Sequence, residues 1–267
     1  MSNALSRLVV AAVALPVVLG LAYLGGWWLF AGVALAAGLA LHEFWLLARP
    51  LRPLAPAGYV GGILALVGAQ VGDVTWMVGG LLTTLPLAFG LKGISAARQA
   101  ATTSISATVT GAVWIGCGLS FTLLVRDLPE HGRLAAFAVL LSVWAGDTFA
   151  YFGGRLVGRH RMAPTTSPGK TWEGFFFGTV ATIFVAFVTL YDDRHEFLSI
   201  WQAVVLGAVL AVAAPLGDLF ESMLKRDMQV KDTGRLLGGH GGMLDRLDAL
   251  LFAAPAAYFC ILAFGQS

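Results

Sequence analysis

Apolar residues in this chain come in long unbroken runs rather than at alternating or helical spacing. Nine such runs stand out, near residues 8–25, 27–48, 58–72, 74–92, 107–125, 134–152, 172–191, 201–219 and 247–265. A helix crossing a bilayer needs about 20 apolar residues, and one that is apolar all round has no face for water. The pattern therefore predicts an all-α, polytopic integral membrane protein of about nine transmembrane helices. The third run is short enough to be re-entrant. Arg7 ahead of the first run also fits a signal peptide, but eight further runs follow, so the first is expected to stay as an uncleaved span. Pro16 and Pro86 lie inside runs and should kink their helices.

Composition agrees. Hydrophobic residues make up 58% of the chain and charged residues 12%, against about a quarter charged in an ordinary soluble domain. The mean hydropathy is +0.79. Cys117 and Cys260 both sit in apolar runs without metal-ligand spacing, which predicts core thiols. The net charge of +2 says little, but its distribution says more. With nine spans, every Lys and Arg except Arg126, Arg133 and Arg194 falls on the side of the N-terminus. By the positive-inside rule that side is cytoplasmic, together with both long charged loops.

The halves differ. Residues 1–125 carry few polar landmarks and many small residues, which lets helices approach closely; this half is expected to be a transmembrane scaffold and oligomer interface. His42 and Glu43 end the second run and are expected at the headgroup level. Residues 126–267 hold the chemistry. Asp147 stands inside an apolar run, where an acid costs about 2.5–3.5 kcal/mol on insertion scales and so faces a cavity or partner. The cluster Asp192 to Glu196 is expected to be a solvated loop, and His131 and His160 loop residues. The Gly169-Lys170-Thr171 triplet is not a P-loop, because Pro164 stands where the first glycine belongs.

Charge is densest from Gly217 to Asp248. Asp218, Ser222 and Lys225 share one helical face, with Glu221 beside them. A glycine-rich stretch containing His240 follows, then Asp245 and Asp248 one turn apart with Arg246 between them. Acids on both sides of a basic, glycine-rich loop suit a divalent metal that holds a polyphosphate.

The motif Ser222-x-Leu224-Lys225-Arg226, Lys231-Asp232-x-Gly234, His240-Gly241-Gly242-x-x-Asp245-Arg246-x-Asp248 resembles the signature of phosphatidate cytidylyltransferases (CDP-diacylglycerol synthases), with Gly238 where that family carries proline. Asp147-Thr148-x-Ala150-Tyr151, Gly154-Arg155-x-x-Gly158-Arg159 and Ser167-Pro168-x-Lys170-Thr171-x-Glu173-Gly174 resemble its upstream blocks, with Gly169 where a second lysine is common. The likeness runs from about residue 140 to 250. It implies that a cytidylyl group passes from CTP to phosphatidate, giving CDP-diacylglycerol and pyrophosphate with Mg2+ as cofactor. Asp218 and Asp245 are then the expected metal ligands, with Asp147 as a third. Lys225, Arg246 and His240 join the two aspartates as catalytic groups, and Arg155, Ser167, Lys170, Ser222, Arg226, Lys231 and Asp232 bind substrate. The expected partners are CTP, phosphatidate, the bilayer and a second copy of the chain in a homodimer, with no nucleic acid. The expected place is the bacterial inner membrane, with the active site facing the cytoplasm. A CTP-dependent lipid or polyprenol kinase would use similar parts. A transporter is the alternative from another class, but the crowding of polar residues into one half departs from the inverted repeats common there.

Overall fold

The structure is a computed structural model that describes residues 3–95, 100–234 and 241–265, with side chains described from residue 12 onward. All nine apolar runs are helical. They form α1 (Asn3–Leu24), α2 (Gly26–Leu47), α3 (Ala55–Val71), α4 (Val74–Leu82), α5 (Thr84–Ile94), α6 (Ala101–Gly111), α7 (Gly118–Arg126), α8 (Gly132–Val157), α9 (Trp172–Leu190), α10 (Ile200–Asp227) and α11 (Leu244–Ala263). Among the described residues, seven helical spans are long and apolar enough to cross a membrane; Val74–Ile94 joins α4 to α5, and Ala101–Arg126 joins α6 to α7. Ala12–Leu24 and Ala55–Val71 are shorter apolar helices. This is a polytopic, nearly all-α membrane protein.

One break follows from a proline. Pro86 has no N–H for the carbonyl four residues back, so the helix interrupts at Thr83, whose hydroxyl donates to Gly80 O at 2.6 Å. The exposed carboxylate of Asp73 caps α4, accepting the N–H groups of Thr75 at 2.7 Å and Trp76 at 3.2 Å. Those two bonds hold its pKa below the usual carboxylate value.

The chain divides into two compact units, residues 1–124 with 230–247, and residues 125–229 with 248–267. In the first, α3 is the hub. A Cβ on Gly68 would come within 2.7 Å of the Met77 backbone nitrogen, and one on Gly116 within 2.7 Å of Gly62 Cα. Gly116 belongs to a π-helical stretch, Ala112–Cys117, that links α6 to α7. In the second unit, Gly146, Ala150 and Gly154 of α8 face Gly174, Gly178 and Thr182 of α9, all at four-residue spacing. A Cβ on Gly178 would lie 2.9 Å from both Ala150 Cβ and Gly146 O. This seam brings two backbones together where hydrocarbon gives no hydrophobic drive for association, so close packing must supply the attraction.

The described residues also contain one sheet that the hydropathy pattern did not announce. β1 (Arg161–Ala163) and β2 (Ser167–Thr171) form an antiparallel hairpin between α8 and α9. Glu173, in the first turn of α9, closes its base by accepting from Arg159 N at 3.1 Å and pairing with His160 Nδ1 at 2.6 Å. Thr171 caps α9, accepting from Gly174 N at 3.1 Å.

Candidate active site

Three helices and the hairpin assemble a polar cluster in the second unit. Asp218 and Glu221 lie on α10 one turn apart. α11 meets α10 at Gly217, where a Cβ would come within 3.3 Å of Ala249 Cα; this absence of a side chain sets Asp248 beside Asp218. One oxygen from each of Asp218, Glu221 and Asp248 lies within 4.8 Å of the others. Lys170 of β2 enters from the hairpin, its Nζ 2.7 Å from Asp218 Oδ2 and donating to Pro215 O at 3.3 Å. Lys225, one turn beyond Glu221, donates to Glu221 Oε2 at 2.8 Å. Ser222 donates to Asp218 Oδ1 at 3.3 Å. Arg226 Nε donates to Thr166 O at 3.2 Å, a bond that ties the hairpin tip to α10.

Glu221 is fully buried and Lys225 nearly so. Asp147 is exposed although it lies within an apolar helix, and it is within electrostatic reach of Asp218 and Lys170. Among the described residues, the four carboxylates of Asp147, Asp218, Glu221 and Asp248 stand with the two lysines Lys170 and Lys225, a formal excess of two negative charges that a divalent cation would neutralise. Three carboxylates gathered within 4.8 Å are a donor set of the kind a hard divalent cation takes.

The remaining expected residues are placed as follows. Ser167 is half-buried on β2, and Arg155 is exposed at the end of α8, donating to Tyr151 OH at 3.0 Å. Lys231, Asp232 and Arg246 are exposed in the first unit. Asp245 is there as well, where its Oδ2 accepts Gly242 N at 2.7 Å, Thr233 Oγ1 at 3.0 Å and Thr233 N at 3.2 Å. His240 lies outside the described residues.

Two carboxylates of the cluster, Glu221 and Asp248, were not among the expected ligands. The signal was present: Glu221 shares the helical face of Asp218, and Asp248 follows Asp245 by one turn. Glu43, expected at the headgroup level, is turned into the protein: it is 1% exposed and accepts hydrogen bonds from a segment some 200 residues away. An acid at the end of an apolar run looks the same in sequence whether it turns to water or to buried N–H groups.

Against known proteins, the cytidylyltransferase family profile matches residues 5–264. The chain belongs to the cytidylyltransferase family. Several curated relatives carry the name phosphatidate cytidylyltransferase. One from Mycobacterium bovis is 41% identical over 160 residues, covering 59% of this chain and 50% of the relative. One from Staphylococcus epidermidis is 44% identical over 139 residues, 52% of each chain. One from Haemophilus influenzae is 40% identical over 130 residues, 48% of this chain and 45% of the relative. The matched stretch thus spans about half the length of the curated relatives.

Proposed function

We propose that this cytidylyltransferase-family protein transfers a cytidylyl group from CTP to phosphatidate, releasing pyrophosphate and leaving CDP-diacylglycerol in the membrane. The observation that carries the reading is the cluster of Asp218, Glu221 and Asp248 between Lys170 and Lys225, in a family whose similar members bear that activity in their names. Asp218, Glu221 and Asp248 would hold Mg2+, with Asp147 and Asp245 as further acids of the site. When bound, the ion supplies Lewis-acid polarisation of phosphate oxygens and neutralises their charge.

The protein's own groups then have definite tasks. Two anions must approach each other, and Lys170 and Lys225 lower that repulsion. Lys170, now paired with Asp218, can exchange that carboxylate for a phosphate oxygen. A phosphatidate oxygen forms a bond to the α-phosphorus of CTP, the bond to the bridging oxygen of the pyrophosphate breaks, and the electron pair leaves with pyrophosphate. The nucleophile is already an anion, so no side chain has to remove a proton from it. Ser222, hydrogen-bonded to Asp218, orients that carboxylate. Arg155, Ser167, Arg226, Lys231, Asp232, Arg246 and His240 are the further groups assigned to substrate. The basic bias of one membrane side supports a site on the cytoplasmic face of a bacterial inner membrane, and we extend the proposal to a homodimer.

The test uses CTP labelled in the base, with phosphatidate in detergent micelles. Label should enter the lipid phase only with Mg2+, and Asp218→Asn and Asp248→Asn should each lower the rate at least about 100-fold, near 2.7 kcal/mol of barrier. Asp192→Asn should change nothing. Label that stays in water as CDP while a lipid gains phosphate would replace this reading with that of a kinase.

A further inference from the structure

The glycine-rich signature is shaped around a carboxylate of the protein itself. Glu43 Oε1 accepts Met243 N at 2.9 Å; its Oε2 accepts Leu244 N at 2.9 Å and the Thr233 hydroxyl at 3.3 Å. Met243 immediately precedes α11 and Leu244 opens it, so Glu43 satisfies N–H groups that a helix start leaves without intrahelical partners. Two signature glycines are required by its presence. A Cβ on Gly234 would come within 2.9 Å of Glu43 Cδ, and one on Gly242 within 2.7 Å. Gly241, at φ +80°, is the turn that delivers Gly242 N to Asp245. Thr233 lies between the two acids, its hydroxyl 3.3 Å from Glu43 and 3.0 Å from Asp245, so that its single proton serves one of them at a time.

We infer that Glu43 is a positioning residue for nucleotide binding: it clamps residues 233–234 to residues 242–244 and thereby fixes the places of Lys231 and Arg246. This rests on the cytidylyl-transfer reading above. The clamp also occupies the N–H groups of Met243 and Leu244, so these two are not open to CTP phosphates. Gln is the informative replacement. Both Glu43 oxygens accept from backbone N–H groups whose direction cannot reverse, so the amide NH2 of Gln would place donor against donor on one of them. The volume is unchanged, and the clamp is halved.

Purified Glu43→Gln and Gly242→Ala proteins are compared with the parent in one detergent. With the clamp loosened, KM for CTP should rise about tenfold, as for a lost hydrogen bond to a charged group. KM for phosphatidate and kcat at saturating CTP should stay within about twofold. Trypsin should cut after the exposed Lys231 about tenfold faster, in variants that elute as the parent does on gel filtration. Unchanged KM for CTP with unchanged cleavage overturns the inference. So does an equal loss in both KM values in aggregated protein, the mark of a purely structural residue. If the parent shows no CTP turnover, the proposed reaction fails, and the cleavage comparison still decides whether Glu43 clamps the segment.

Discussion

Replacing Lys225 by Met tests the electrostatics of the cluster. The ammonium lies 2.8 Å from Glu221, with 11% of the lysine side chain and none of the glutamate side chain exposed. Removing one member of a buried pair costs about 3–5 kcal/mol, because the other charge is left without compensation. The lower end applies, since the lysine keeps some exposure, so Lys225→Met should lose about 3 kcal/mol. For a chain of this size that is about 6–12 °C of melting temperature. Glu221→Gln should be milder, about 1 kcal/mol or less, because it also relieves repulsion from Asp218 and Asp248. The double variant should recover most of the loss, as buried pairs replaced together often do. Mg2+ gives an independent readout. At 100 times its Kd a ligand adds about 2.7 kcal/mol, and this increment should grow in Lys225→Met, where the cluster is more negative, and shrink in Glu221→Gln. Thermal unfolding in one detergent, with chelator and with excess Mg2+, measures all four proteins. A Lys225→Met protein that melts with the parent in chelator would refute the reasoning, as would a double variant no better than Lys225→Met.

Two further outcomes are expected. Gly178→Ala should destabilise the α8–α9 seam by about 1–3 kcal/mol of overpacking, seen as a lower melting temperature, while Gly169→Ala, with nothing within 4 Å of its Cβ position, should melt as the parent does. In a background lacking Cys117 and Cys260, single cysteines at Thr165 and Val230 should react with an impermeant thiol reagent from one membrane face and a cysteine at Asp192 from the other; labelling of all three from one face would overturn the topology.

The helices were legible because a bilayer demands length of apolar sequence: all nine runs form helix, and among the described residues seven helical spans are long and apolar enough to cross. The hairpin was not, because Ser167 to Thr171 contains Pro168 and Gly169 and shows no alternation; its strands are held by Glu173 at the base and Arg226 at the tip, contacts that no local pattern contains. At the site, spacing put Asp218 and Lys225 on one face but did not show Asp248 beside Asp218 and Glu221, because that depends on the rotation of α11 about its axis at the contact with Gly217. Glu43 was illegible for a related reason, since its partners are remote in sequence.

That remoteness has a consequence in time. Glu43 leaves the ribosome some 200 residues before Met243. At about 5–20 residues per second, synthesis of the intervening chain takes about 10–40 s. Through that interval the N-terminal helices carry an acid whose final hydrogen-bond donors do not yet exist. The first unit is therefore completed from both directions along the sequence and closes only after α10 has been made. A chain halted before Met243 retains every apolar run of that unit and still lacks the backbone groups that satisfy its buried carboxylate.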